Sequence, residues 1–400
     1  MSPKQATSKR IKRILKRFFL IVLGLLIIVN LAILITGKTY LYKGIQATYL
    51  KGKSGPGIYD SLIFKNSEIR RGTSFQKWQE GNLKSLKEEH ISALEALNTT
   101  SFLVIQNEEI IYENYWGDHT KQTRSNSFSA AKSIVGLLIG IAIDQGDINS
   151  FDTPVNDYLM FVDDDSLTIR HLLKMSSGLI WRESGSNPLS ENAAAYYGSD
   201  LNTFMRRSKF DGTQNTNFEY KSGNSQLLGM LLEKATGMSI ASYMEKMVWQ
   251  KLGTEMDAFW SLDQADGIAK TFCCYYATTR DYARLGQLVN QQGVWRGDTL
   301  VSPEIMNELT DFAVLKDGSI ISNYGLHYWL LDQSDRKVVY ARGILGQYII
   351  SIPSLDIVVV RTGHEREDKF ENQTGDEAYK NNHPKDLFLY LSIVEDLIAE

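Results

Sequence analysis

The chain has 400 residues, 43% hydrophobic and 22% charged, with 30 Gly and 7 Pro. These values sit near the globular averages of about 45–50% apolar and about 25% charged, which excludes a wholly disordered, collagen-like or coiled-coil chain. The net charge of −4 is uneven: residues 1–17 hold seven Lys and Arg and no acid, leaving −11 on the remainder, a sign that argues against a nucleic-acid partner.

From Phe18 to Ile35 the chain reads FFLIVLGLLIIVNLAILI, 18 residues with Asn30 as the single polar side chain. That length suffices for one crossing of about 30 Å of hydrocarbon. A secretory signal peptide carries a shorter apolar run of about 7–15 residues before a small-residue cleavage site, so an uncleaved anchor over 18–36 is expected. The basic residues precede the span and place a tail, 1–17, in the cytoplasm and everything after it outside. In a bacterium this is a single-pass inner-membrane protein with its main domain extracytoplasmic, in the periplasm.

Residues 37–83, with Gly52, Gly55, Gly57 and scattered basic residues, read as a stalk or leading arm, and residues 84–400 as the main domain. A surface helix is expected over about 84–97. Two short β-rich runs, Ser101–Gln106 and Ile110–Trp116, joined by Asn107-Glu108-Glu109, predict a hairpin. A helix is then expected from near Ser129 to Gly146; it is apolar on nearly every face and so belongs in the interior. Residues of about 150–310 read as a mostly helical subdomain, with Gly closing several helices. After residue 320 the period changes to that of strands (KVVYA, GQYIISI, DIVVVRTG), and an amphipathic helix, DLFLYLSIVEDLIA, ends the chain. The order hairpin, helical insertion, β-run, terminal helix predicts an α+β fold whose sheet is completed by distant parts of the chain.

Cys273 and Cys274 are the only cysteines. A bridge between sequence neighbours departs from ordinary disulfide geometry, so two buried thiols are expected. The histidines are scattered and no metal-ligand spacing is present; neither metal nor cofactor is expected.

Three patterns carry chemistry. Ser129-Ala130-Ala131-Lys132 is an S-x-x-K, whose three-residue step on a helix brings the ammonium toward the hydroxyl. A serine becomes nucleophilic once a base takes its proton, and a lysine serves when burial lowers its pKa. Tyr220-Lys221-Ser222 precedes an apolar helix, where a phenol can relay a proton and the following hydroxyl can hold a substrate amide. Arg342-Gly343-Ile344-Leu345-Gly346-Gln347 lies between two strands, where a backbone N–H can serve as oxyanion donor.

In this order, with LTIRHLLKMSSG at 167–178, the patterns resemble the serine β-lactamase and penicillin-binding-protein superfamily in its class C-like branch. ATTRDYARLG at 277–286, YARG at 340–343 and GQYI at 346–349 are similar to 6-aminohexanoate-dimer hydrolases and related esterases. The resemblance spans about residues 100–362. It implies a β-lactamase/transpeptidase-like fold, an antiparallel sheet flanked by helices. It also implies Ser129 as acylated nucleophile, Lys132 as its base partner and Tyr220 as second acid/base. Gly343 and Ile344 would supply the late-strand oxyanion donor, with Gln347 N–H as the alternative. Ser222 stands where class C enzymes have Asn, and Trp181 and Glu183 fall where the substrate loop would lie. No lysine occupies the late-strand position that holds a β-lactam carboxylate, which argues against efficient penicillin hydrolysis. The implied activity is hydrolysis of a small amide or ester, or of a D-Ala-containing cell-wall peptide; a catalytically silent binder of cell-wall fragments is the competing class.

Overall fold

The computed structural model describes residues 3–185, 187–333, 336–367 and 383–399. It divides into two compact units, residues 1–55 with 184–199 and residues 56–183 with 200–400.

The smaller unit begins with one helix, Pro3–Ile35, whose side chains are described from residue 10 onward. Its segment Arg10–Ile35 is long and apolar enough to cross a membrane. Asn30 is accommodated locally: its amide donates to Leu26 O (2.8 Å) and its Oδ1 accepts from the Tyr42 hydroxyl (2.7 Å). The next helix, Tyr40–Ala47, packs on the helix Glu191–Tyr197. Gly44 permits this approach, because a Cβ there would stand 3.3 Å from the Tyr197 ring.

The larger unit is built on a seven-stranded sheet. Its order is Trp329–Gln333, Arg336–Gly343, Gln347–Ile352, Ile357–Gly363, Thr99–Gln106, Glu109–Tyr115 and Gln79–Glu80. All neighbours are antiparallel except the last pair. The expected hairpin forms, and its first strand joins the last strand of the chain, Leu103 opposite Val360. The helix Lys385–Ala399 covers one face, laying Leu387, Tyr390, Val394 and Leu397 against Phe102, Val104, Ile350 and Val359. Each such side chain contributes about 1.5–3 kcal/mol on burial. The helix Thr279–Asn290 lies along the strands Gln347–Ile352 and Ile357–Gly363. Gly286 lets it settle, since a Cβ there would meet Val358 at 2.6 Å. The helix Ala131–Asp144 is buried over nearly its whole length, as its all-round apolar sequence predicts.

Two expectations are corrected. The arm expected over 37–83 is a stalk in neither half: residues to 55 belong to the smaller unit, and from residue 56 the chain is woven into the larger one. Lys65–Ile69 pairs with Ala258–Leu262, Trp78 is buried with its indole donating to Arg280 O (2.9 Å), and Gln79–Glu80 joins the main sheet. The stretch 150–310 is mostly helices and loops and also carries short strands. Ala258–Leu262 and Tyr275–Ala277 form a four-stranded sheet with Lys65–Ile69 and Ser125–Asn126. Second, Cys273 and Cys274 are joined as a disulfide. Cys274 has a left-handed backbone, φ +67°, and Cys273 N–H bonds to Lys270 O (3.1 Å); this tight turn removes the alternation that keeps neighbouring side chains apart in a strand.

Candidate active site

Ser129 lies in a 3₁₀ turn, Phe128–Ala130, one step before the buried helix rather than inside it. The small sheet sets that turn. Ser127 N–H donates to Tyr275 O (2.8 Å), and the buried Asn126 Oδ1 accepts from Phe128 N–H (2.9 Å) and Cys274 N–H (3.1 Å). Phe128 takes φ +44°, a strained conformation for a non-glycine residue and one that clusters at functional sites. Ser129 itself is half-buried while its neighbours on both sides are buried, so it is the residue of the turn open to a substrate.

Lys132 projects from the first turn of the helix and is 2% exposed. Its Nζ donates to Ser129 Oγ (3.0 Å) and to Phe272 O (2.7 Å), and lies 5.2 Å above the Tyr220 ring. Burial lowers its pKa to about 8 against an opposing pull from the Glu183 carboxylate. A lysine with that value is a usable base near neutral pH, because a minor fraction is already uncharged and its pKa lies close to the working pH.

Tyr220 precedes the helix Ser222–Thr236. Its ring stacks on Trp329 (5.4 Å, 29°) and meets Tyr324 edge-on (6.2 Å, 88°). Burial pushes the phenol well above its ordinary pKa, offset in part by a hydrogen bond with Ser129. At neutral pH the phenol therefore keeps its proton, and the group is equipped to donate one.

The late strand reaches the same place. A Cβ on Gly343 would lie 2.2 Å from Ser127 O and 2.9 Å from Phe128 Cβ, so the end of the strand Arg336–Gly343 presses on the turn bearing Ser129. Ile344 follows directly. The reverse turn behind it carries Leu345 at φ +63° and Gly346 at φ +79°. Gln347 re-enters the sheet opposite Gly343, its side-chain amide donating to Ile344 O (3.2 Å) and Gly363 O (2.8 Å).

The three remaining expected residues divide. Glu183 is exposed and accepts from Ser222 N–H and Ser222 Oγ, both at 2.7 Å. It thereby caps the helix that follows Tyr220, where a negative charge is favoured. Ser222 is buried, and its hydroxyl donates to Glu183 Oε1. Trp181 is buried against Phe204 (5.9 Å, edge-on) and against Gly223, where a Cβ would stand 2.6 Å from its ring; its indole is a packed wall.

Two features escaped the sequence reading. The Phe272 carbonyl is a backbone atom in a loop between strands and has no residue-type signature. Arg342 is visible as a cation inside an apolar strand, but its environment is not. It is 8% exposed, its guanidinium lies 3.6 Å over the Trp329 ring, and its Nη1 has no hydrogen-bond partner among the described residues. An unsatisfied buried donor of this kind costs about 1–3 kcal/mol and calls for a partner.

Residues 88–379 match the family described as Beta-lactamase. The chain belongs to that family. Within it, the 6-aminohexanoate-dimer hydrolase of Paenarthrobacter ureafaciens is 26% identical over 293 residues, covering 67% of this chain and 73% of that protein. A Bacillus anthracis structure provisionally named as a 6-aminohexanoate-dimer hydrolase superposes with a TM-score of 0.71 at 18% identity, covering 85% of this chain and 92% of that one. FmtA from Staphylococcus aureus superposes at 0.56 and 18% identity, covering 81% and 93%. The α+β, β-lactamase/transpeptidase-like fold expected from the sequence is the one these solved structures share.

Proposed function

We propose that this β-lactamase-family chain is a membrane-anchored serine hydrolase that cleaves an amide or ester through an acyl-enzyme on Ser129. The observation that carries the reading is the Lys132 amine, buried, shifted to about 8 and 3.0 Å from the hydroxyl of the half-buried Ser129. Neutral Lys132 takes the Ser129 proton as Oγ attacks the carbonyl carbon. The N–H groups of Ser129 and Ile344 hold the oxyanion, and collapse of the adduct breaks the bond to the leaving nitrogen or oxygen. Tyr220 gives its proton to that atom and recovers one from the Lys132 ammonium. Water then repeats the sequence on the ester. Incubating the full chain in detergent with a fluorophosphonate is expected to give one covalent adduct by intact mass. Folded protein that forms none is a binding protein.

The apolar helix and the basic residues before it support an extracytoplasmic orientation for the catalytic unit. The relative that hydrolyses 6-aminohexanoate dimer supports that compound as the first substrate to try. Its leaving amine ends in a carboxylate, as does the leaving D-Ala of a cell-wall peptide, and Arg342 supplies a buried cation with an unpartnered N–H beside Tyr220's stacking partner. A hydrogen bond to a charged group contributes about 1.5–3 kcal/mol. Arg342→Gln is therefore expected to lower kcat/KM about 10–100-fold for the dimer and to leave its C-terminal amide little affected. Equal losses on the two substrates would remove Arg342 from carboxylate recognition.

The pH dependence has a definite sign. Acylation needs neutral Lys132, so its rate rises with pH toward a plateau above about 8. Glu183 holds that pKa up, and Glu183→Gln moves the acidic limb to lower pH. A fluorophosphonate rate profile measured on both proteins checks this; a limb that stays in place or moves to higher pH refutes the coupling.

A further inference from the structure

The vicinal disulfide lies in the segment that fixes the Lys132 amine. Of the two groups to which Nζ donates, one is Ser129 and the other is the carbonyl of Phe272, in the peptide whose nitrogen belongs to Cys273. The Phe272 ring also lies 5.9 Å from Nζ. The backbone of the pair is tied on both sides. The Trp260 indole N–H is shared between Lys270 O (2.9 Å) and Cys273 O (2.8 Å), and Ser261 N–H donates to Cys274 O (2.9 Å). Cys274 N–H shares the Asn126 Oδ1 that also holds Phe128, the residue before Ser129. One short turn thus joins the small sheet, the Lys132 acceptor and the turn carrying the serine.

We propose that the Cys273–Cys274 disulfide is a positioning device for Lys132, so that opening it with a small dithiol slows acylation without unfolding the protein. This inference rests on the Ser129 and Lys132 reading given above. The bond closes a small ring through the peptide joining the two cysteines and holds Cys274 in the left-handed region, which L-residues disfavour. Once the ring is open, Cys274 is free to relax to negative φ, and the peptide planes on either side of Cys273 turn with it. The Phe272 carbonyl then leaves Nζ, and the amine loses the contact that sets it against Oγ. Misplacing a catalytic group by about 1 Å costs on the order of 10²-fold in rate.

The exchange balances as one protein disulfide plus one dithiol giving two protein thiols and the cyclic disulfide of the reagent, a transfer of two electrons and two protons. Both cysteines are almost completely buried, at 3% and 0% exposure, which favours a small reagent over a protein thiol. The bond fits an oxidising compartment outside the cytoplasm.

The test uses the full chain in detergent. Denaturing alkylation without reductant is expected to modify no thiol, and after reduction two; two modified thiols without reductant overturn the proposal. Native protein is then treated with dithiothreitol and assayed well below its melting temperature. The expected result is a fall in kcat of about 10-fold or more with KM and far-UV circular dichroism unchanged, reversed by oxidised glutathione. The Cys273→Ser/Cys274→Ser double variant, where it folds, is expected to stay at the reduced rate and ignore both reagents. Reduced protein turning over at the oxidised rate overturns the inference whether or not that variant folds. Oxidised protein that never forms a fluorophosphonate adduct overturns the Ser129 reading instead, so the two failures are distinguishable.

Discussion

Ser129→Ala is expected to abolish the fluorophosphonate adduct and to lower amide or ester turnover by about 10⁴-fold or more, while the melting temperature stays near that of the wild type. The loss is large because the step is covalent: without Oγ no acyl-enzyme forms, and only oxyanion stabilisation and substrate binding remain, worth about 10³–10⁴ over water in serine hydrolases of this logic. The fold is expected to tolerate the change for reasons visible in the site. Ser129 is half-buried, so removing one oxygen opens no sealed cavity. Lys132 keeps its bond to Phe272 O, and the turn keeps the Asn126 and Tyr275 contacts that shape it. Intact mass and a thermal melt on the same sample check both halves. An adduct that persists in the variant would move the nucleophile elsewhere.

The sequence carried those parts of the site that depend on side-chain type and spacing. Ser129 and Lys132 were legible because a three-residue step needs only local geometry, and the burial that shifts Lys132 was legible in the all-round apolar helix. The late strands were legible because both of their faces are covered, giving unbroken runs such as Ile357–Gly363. What escaped was mostly backbone or non-local. Lys65–Ile69 is largely solvent-exposed edge strand with no apolar alternation, so nothing in KNSEI announces its pairing with Ala258–Leu262. The cysteine pair was misread because ordinary disulfide geometry excludes neighbours, whereas a left-handed Cys274 does not. The partner of Ser222 was equally hidden, since its hydroxyl donates to Glu183, 39 residues away in the chain. Arg342 shows the same limit from the other side: a charge in a strand is plain, and the aromatic face it covers is not.

The second large effect is expected from one methyl group. Gly343→Ala would place a Cβ 2.2 Å from Ser127 O and 2.9 Å from Phe128 Cβ, and the nearer of these is backbone, with no rotamer by which to retreat. The end of the strand must therefore move off the turn, taking the Ile344 N–H with it. Removing one oxyanion donor costs about 10²–10³ in kcat. A loss of that size is expected in Gly343→Ala with KM little changed, because the ground-state carbonyl depends on the donor less than the developing oxyanion does. Gly346→Ala separates this from general damage. There a Cβ would stand 1.9 Å from the guanidinium of Arg361, at φ +79°. Arg361 is fully buried and donates to the carbonyls of Leu97, Leu345, Gly346 and Glu365. Disturbing that network is expected to lower stability by about 1–3 kcal/mol, read as a fall in melting temperature. Gly343→Ala should thus lose rate out of proportion to stability, and Gly346→Ala the reverse. Kinetics and melts on both variants decide it, and a Gly343→Ala enzyme with wild-type kcat would take the oxyanion donor away from Ile344.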